Sequence, residues 1–310
     1  ADLTHGSKAT VQSPLSWQRY RVRILIPCYN EPAEMVRQTV LAALAMKYPA
    51  HMLYVYLCDD GADASKRQMM ESILQDQPHL IGHLVYEARI KPKGQPHHGK
   101  AGNLNNVLTN IVYQQVCRLE GWHHRLSSDL SLVHVACTQQ CLLNRSIGDD
   151  ELVVILDADQ LCTPEFLERT LPFYARDDEV SAAIASPAME VAGPSCTCSV
   201  EKLAMVQTPQ CFYNVRPETD IWNHQNAAFF QYMLPGMQAW NAVSCCGTNI
   251  VLRARALQDI GWVPTGCVTE DCLMSMRLLA ANYQLIHDER ISVYGQAPLD
   301  VRQIFQQRSR

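Results

Sequence analysis

Leu152-Val153-Val154-Ile155-Leu156 is an unbroken apolar run that stops at Asp157-Ala158-Asp159. A strand that is apolar at every position has both faces covered, which marks a central strand of a parallel sheet. Upstream, Arg21 to Ile26 reads as a strand ending at Pro27, and Glu31-Pro32 opens a helix with Met35, Val36, Val40 and Leu44 on one face. Met52 to Leu57 is a second β-rich run, closed by Asp59-Asp60-Gly61. A polar helix follows through Lys66 to Leu74, and Leu84-Val85-Tyr86 is a third strand. Lys100 to about Arg145 reads as helical. Thr163-Pro164-Glu165 starts another helix, with an N-cap, a first-turn proline and an acid near the positive dipole end. Arg176 to Glu201 loses periodicity and contains Gly193-Pro194 with two cysteines, so it reads mostly as an irregular insertion. The last hundred residues alternate short strands and helices. Strands alternating with helices define an α/β chain: a Rossmann-like, mostly parallel central sheet flanked by helices. Residues 1–16 read as a flexible tail and 17–310 as a single domain.

The composition narrows the function. Of 310 residues, 47% are apolar and only 18% charged, which excludes a disordered chain. A net charge of −5 has the wrong sign for a nucleic-acid binder. The 13 cysteines are an odd number at irregular spacings, such as Cys137 and Cys141, Cys196 and Cys198, Cys245 and Cys246, Cys267 and Cys272. None forms the paired C-x-x-C knuckles of a zinc site, so they are expected to be reduced thiols packed as small hydrophobes. No stretch approaches the roughly 20 apolar residues of a membrane span, and the first fourteen residues lack the apolar core of a signal peptide. The chain as it stands is expected to be soluble.

Chemistry concentrates at acids. In an open parallel sheet, ligands bind beyond the carboxyl ends of the strands. Asp59-Asp60 and Asp157-x-Asp159 stand there, and Glu270-Asp271 is a third acidic pair. A strand-end aspartate also serves as a turn residue or helix cap. In extended chain, Asp157 and Asp159 project to the same face, where a divalent cation with hard-oxygen preference, Mg²⁺ or Mn²⁺, would relieve their repulsion. Lys100, at the mouth of a helix after the Gly94–Gly99 loop, suits a phosphate group or simply water.

In order along the chain, Ile26-Pro27-Cys28-Tyr29-Asn30-Glu31-Pro32, Asp59-Asp60-Gly61, Lys100-Ala101-Gly102-Asn103, Asp157-Ala158-Asp159, Thr269-Glu270-Asp271 and Gln307-x-x-Arg310 resemble the processive family-2 glycosyltransferases, above all the bacterial-type cellulose synthase catalytic subunits. Val206-Gln207-Thr208-Pro209 with Phe212-Tyr213-Asn214, and Pro235-Gly236 through Ala239-Trp240-Asn241 to Cys246-Gly247-Thr248, extend the likeness over roughly residues 20 to 310. The resemblance implies a GT-A fold that takes UDP-glucose and extends a β-glucan with inversion. It implies that Tyr29, Glu31 and Asp59 hold the uridine, that Asp60 closes that pocket, and that Lys100 meets the diphosphate. Asp157 and Asp159 would hold the metal, and Asp271 would be the general base. Glu270 and Cys246 would stand at the acceptor end, and Gln307 with Arg310 would bind diphosphate and frame the acceptor tunnel. It further implies that the domain sits on the cytosolic face of a membrane. Its partners there would be its own membrane-channel segments, the nascent glucan and other synthase subunits.

Inverting transfer suits these residue types. A metal and cationic groups neutralise charge on the departing diphosphate, and a carboxylate takes the proton of the attacking hydroxyl. Three features depart from the family pattern. Cys28 stands where many relatives carry Thr, Gln160 replaces a common His after D-x-D, and 112–150 and 177–200 look longer than bacterial relatives require. Two other readings remain open on sequence. One is a synthase of another β-linked polymer, chitin-like, hyaluronan-like or β-1,3-glucan; the other is a catalytically silent nucleotide-sugar-binding subunit.

Overall fold

The computed structural model describes residues 15–89, 91, 94, 96–119, 147–184, 201–215, 225–298, 302 and 305, without the side chains of 110–119, 225 and 226. The elements, in chain order, are β1 (Arg21–Cys28), α1 (Ala33–Leu44), β2 (Leu53–Asp59), α2 (Ala64–Asp76), β3 (Leu84–Ala88), α3 (Gly99–Leu119) and β4 (Glu151–Ile155). Then follow β5 (Leu161–Cys162), α4 (Phe166–Ile184), β6 (Lys202–Gln207), β7 (Cys211–Phe212), α5 (Gln225–Ala228), a π-helical turn (Phe229–Met233) and α6 (Leu234–Gln238). The chain closes with β8 (Ile250–Arg253), α7 (Ala254–Asp259), α8 (Glu270–Ala280), β9 (Tyr283–His287) and β10 (Val293–Gly295).

A seven-stranded sheet runs β3-β2-β1-β4-β8-β6-β9, so the apolar run quoted first is its middle strand. β1 pairs parallel with β2 and β4, whereas β8 lies antiparallel to both β4 and β6. The sheet is therefore mixed and mostly parallel. A second, three-stranded sheet, β5-β10-β7, stands beside it. Both faces of β4 are buried. Leu152, Val154 and Leu156 pack with Val36 and Val40 of α1 and Phe166 and Leu171 of α4, while Val153 and Ile155 pack with Leu104 and Leu108 of α3 and Leu257 of α7. Alternate side chains thus enter two separate cores, and that is why the run carries no polar position.

Three expectations are corrected. β1 does not end at Pro27 but runs to Cys28. Leu25 C=O accepts from Leu156 and Cys28 C=O from Asp60, so the backbone of Pro27 faces the β4 side, where the ladder has already ended at Leu25. The missing N–H costs nothing there. Thr163 does not cap α4 with its hydroxyl: Phe166 N–H donates to the Thr163 carbonyl, and the buried Oγ1 has no hydrogen-bond partner among the described residues. Residues 176–184 are helix, not irregular, because the acids there bind distant bases. Asp178 holds Arg19 (2.7 Å) and Tyr20 Oη (2.6 Å), and with Asp177 it flanks the fully buried Arg253. Residues 185–200 and 120–146, with the remainder of the expected helix, lie outside the described residues, as does most of the expected tail. Among the described residues, no helix is long and apolar enough to cross a membrane.

Candidate active site

The carboxyl end of β4 meets the loop before β8, and two groups of side chains form at the carboxyl ends of β1, β2 and β4. At the first, Glu31 folds back so that Oε2 accepts the Tyr29 N–H at 2.6 Å. The Tyr29 ring is exposed, with Lys91 Nζ 4.9 Å from its centroid. Asp59 is fully buried and accepts from Gly61 N (3.0 Å), Asp63 N (2.7 Å) and Tyr86 Oη (2.8 Å), with the buried Lys66 ammonium at 3.6 Å. Its carboxylate therefore builds the turn that follows β2. Gly61 is required in that turn, since a β-carbon would lie 2.8 Å from the Tyr29 carbonyl. Asp60 is held by Arg89 Nε (2.7 Å) and Lys91 Nζ (3.1 Å). Burial, followed by the nearby Asp59 charge, pushes the Cys28 thiol far up, so Cys28 is a neutral filler.

The second group gathers around β4. Asp157 and Asp159 do not share the face of an extended strand: Gln160 N–H donates to the Asp157 carbonyl at 3.0 Å, making a tight turn. Asp157 N–H donates to Thr248 Oγ1 at 2.8 Å, and Thr39 Oγ1 donates to the Ala158 carbonyl at 2.7 Å, so both sides of the turn are pinned. Gln160 is buried, donates to Asp159 Oδ1 (3.1 Å) and accepts from Asn249 Nδ2 (3.1 Å). Its amide packs so closely on Gly295 that a β-carbon there would lie 2.1 Å away. Burial raises the Asp159 pKa and the Asp157 charge adds to the rise, against the Gln160 hydrogen bond. Asp159 also lines a cavity of about 190 Å³ with Met35, Gln38, Thr39, Leu161, Tyr213 and Gln296.

Lys100, in the first turn of α3, sets its ammonium against the Asp157 carboxylate and donates to the Gly247 carbonyl at 2.8 Å. Burial works against this charge, but Asp157 outweighs it and holds the Lys100 pKa above its ordinary value. Gly247 has φ +77°, and Asp271 Oδ2 lies 3.2 Å from where its β-carbon would stand. That conformation suits glycine, and the vacant volume lets Asp271 approach the loop. Asp271 sits in the first turn of α8, where Oδ1 accepts from Cys272 N at 2.8 Å. Gln207 scaffolds the loop from below, accepting from Cys246 N (2.8 Å) and donating to Thr248 O (2.9 Å). Burial pushes the half-buried Cys246 thiol up to about 12, so it is protonated at neutral pH. Glu270 is half-buried, and its charge reaches Lys100.

The structure thus brings Lys100, Asp157 and Asp271 together around Gly247, with Asp159 across the turn, and groups Tyr29, Glu31, Asp59 and Asp60 separately. Gln307 and Arg310 lie outside the described residues. Sequence reasoning missed Lys66, Arg89 and Lys91 and gave no role to Gln207 and Thr248. Arg89 and Lys91 follow the end of β3, so the strand-end rule that exposed the acids also reaches them. Lys66 carried no signal, since it stands in a polar helix. Among the described residues no group of three or more His, Cys, Asp or Glu could hold a metal ion. Asp157 and Asp159 lie close enough for the charge of one to act on the other; they are two hard-oxygen donors of the kind a divalent cation takes, with phosphate and water needed to complete its shell.

Two solved structures share the GT-A architecture. A mannosyltransferase from Pyrobaculum calidifontis, in complex with GDP-Man and Mn²⁺, superposes with a TM-score of 0.55 at 16% identity, over 96% of this chain and 63% of that one. TarS of S. aureus gives 0.51 at 13% identity, over 89% and 37%. Among curated relatives, a cellulose synthase catalytic subunit of Dictyostelium discoideum is 30% identical over 76% of this chain and 17% of its own length. The cellulose synthase catalytic subunit of Pseudomonas fluorescens (strain SBW25) is 25% identical over 84% of this chain and 26% of its own. The chain therefore spans about a quarter or less of the length of these two relatives. The family model for glycosyl transferase family group 2 matches residues 152–310, from the central strand onward. A match over that half of the chain, on a GT-A sheet with its acids at the strand ends, makes this protein a member of glycosyl transferase family group 2.

Proposed function

We propose that this domain takes glucose from UDP-glucose, with Mg²⁺ or Mn²⁺, and adds it with inversion to a growing β-1,4-glucan, as part of a processive synthase. The observation that carries the reading is the convergence on Gly247. A lysine suited to a diphosphate and a carboxylate suited to a proton approach the same residue, beside the acids Asp157 and Asp159. Tyr29 presents its ring to the base, and Asp59 and Asp60, with their basic partners, shape the nucleoside pocket. Asp157 and Asp159 hold the cation, which when bound screens the negative charge that builds on the departing diphosphate. Lys100 turns toward the diphosphate oxygens and adds a fixed positive charge. Asp271 orients the acceptor hydroxyl and takes its proton as the oxygen attacks the anomeric carbon. Cys246 lines the acceptor end as a neutral thiol, and Gln307 with Arg310 binds the diphosphate and frames the acceptor tunnel, roles that rest on the motif alone. Relatives named as cellulose synthases support glucose and the β-1,4 linkage, and with them a place on the cytosolic face of a membrane beside channel segments. The test is to supply UDP-[¹⁴C]glucose and Mg²⁺ to the full-length protein in membranes. Radiolabel in polymer that a β-1,4-glucanase removes supports the reading. Label released only by a β-1,3-glucanase refutes the β-1,4 linkage, and polymer formed only when an N-acetylated donor replaces UDP-glucose refutes the glucan assignment.

A further inference from the structure

Within the donor site just proposed, on which this inference rests, we propose that Lys100 acts as an internal cation that occupies the metal's place. The metal would then enter only together with the nucleotide diphosphate. Lys100 Nζ is in direct contact with Asp157 and is anchored from the other side by the Gly247 carbonyl at 2.8 Å. The two side chains are 29% and 39% exposed, so the pair is reachable without unfolding. The partners are mounted differently. The Asp157 backbone is held through its N–H to Thr248 and its carbonyl to Gln160, with a short side chain beyond, whereas Lys100 reaches the pair on a flexible four-carbon stem.

The charges then dictate the order of events. With Lys100 in place, the pair Asp157 and Asp159 is already half neutralised. A dication arriving alone must either sit beside the ammonium, which repels it, or break the ion pair and leave Lys100 with the Gly247 carbonyl in place of a contacting carboxylate. A cation chelated to a diphosphate removes that difficulty. Its phosphate oxygens give Lys100 new anionic partners as the carboxylates take the metal, so one exchange of partners satisfies every charge. Free metal is disfavoured, and the chelate is selected as the ligand.

Titration of Mn²⁺ alone, followed by the electron paramagnetic resonance signal of the free ion, reads this directly. Lys100→Met keeps the length of the side chain and removes the charge. It is expected to tighten binding of Mn²⁺ alone by about tenfold or more, the scale of one like charge removed from a site. The same variant is expected to weaken UDP in saturating Mn²⁺ by about tenfold, the loss of one cation from a diphosphate site. Lys100→Arg keeps the charge and should bind Mn²⁺ alone as weakly as the unaltered protein. Lys100→Gln repeats the neutral arm should the methionine variant not fold. Unchanged or weaker binding of Mn²⁺ alone in the neutral variants overturns the proposal. Failure of the unaltered protein to bind UDP at any Mn²⁺ concentration instead overturns the donor site, while the comparison with Mn²⁺ alone still reads the ion pair.

Discussion

Arg253 is the last residue of β8, the strand that lies antiparallel to β4, and its side chain is fully buried. Its guanidinium donates to the Leu203 carbonyl (3.0 Å) and the Asp149 carbonyl (2.7 Å), pairs with Asp178 (3.0 Å) and Asp177 (3.4 Å), and lies 5.3 Å from the Tyr174 ring centroid. Arg253→Met keeps much of the volume and removes every one of these bonds. Two carbonyls then lose this donor and two acids lose this cation, while Asp178 keeps Arg19 and Tyr20 Oη and Asp177 keeps the Leu203 N–H, so the loss is expected at about 3 kcal/mol, the low end of the range for breaking a buried pair from one side. A typical domain has about 5–15 kcal/mol in total, so this is a large fraction. Urea unfolding followed by circular dichroism measures it. The pH dependence supplies a second signature. Burial alone would raise the Asp178 pKa, but the Tyr20 hydroxyl, Arg253 and Arg19 outweigh it and hold the carboxyl below its ordinary value. A depressed folded-state pKa contributes stability above the unfolded value of about 4 and loses it as pH falls through the folded value. Asp177 is shifted the other way, chiefly by burial, and partly offsets this. Removing Arg253 leaves both carboxylates less favoured. The cost of the substitution should therefore be greatest near pH 7 and shrink once the acids protonate. A variant as stable as the unaltered protein at pH 7, or a cost that does not change with pH, would refute this reasoning.

Other expectations concern the site. Asp271→Asn in the full-length enzyme should lower turnover by about 10² or more while changing UDP affinity by less than about tenfold, the signature of a lost general base. If more than roughly a tenth of glucan synthesis survives, the base lies elsewhere. Asp159→Asn should sharply weaken metal-dependent UDP binding in calorimetry without moving the unfolding midpoint. Gly247→Ala should cost about 1 kcal/mol or more for its positive φ, and its β-carbon, 3.2 Å from Asp271 Oδ2, should displace that carboxylate and lower turnover. Thr248→Val should cost about 1–3 kcal/mol because Asp157 N–H and Asn249 Oδ1 both lose their partner. Thr248→Ser, which keeps the hydroxyl, should retain UDP binding, and equal losses in both variants would discount the hydrogen bonds.

What was legible in the sequence follows from which interactions are local. The middle strand was readable because burial on both faces leaves no polar residue between Leu152 and Leu156. The second half of α4 was not, because Asp177 and Asp178 are explained by Arg253, about 75 positions away in the chain. The turn at Asp157-Ala158-Asp159-Gln160 escaped for a similar reason. Spacing alone suits an extended pair, whereas Thr39, Thr248 and Asn249 impose the turn from other elements. Tyr29, Asp59, Lys100 and Asp271 could be named individually from their motifs. That Lys100 and Asp271 approach the same glycine required the folded loop.

Whether the strand-end acids and Lys100 form a metal-dependent UDP-sugar site is decided by calorimetric titration of UDP-glucose into the chain, with Mg²⁺ or Mn²⁺ and again with chelator. Binding is expected with the metal, with competition by UDP but not by GDP, and it should be lost with chelator. Equal affinity with and without metal, or preference for a guanosine diphosphate sugar, would contradict the assignment.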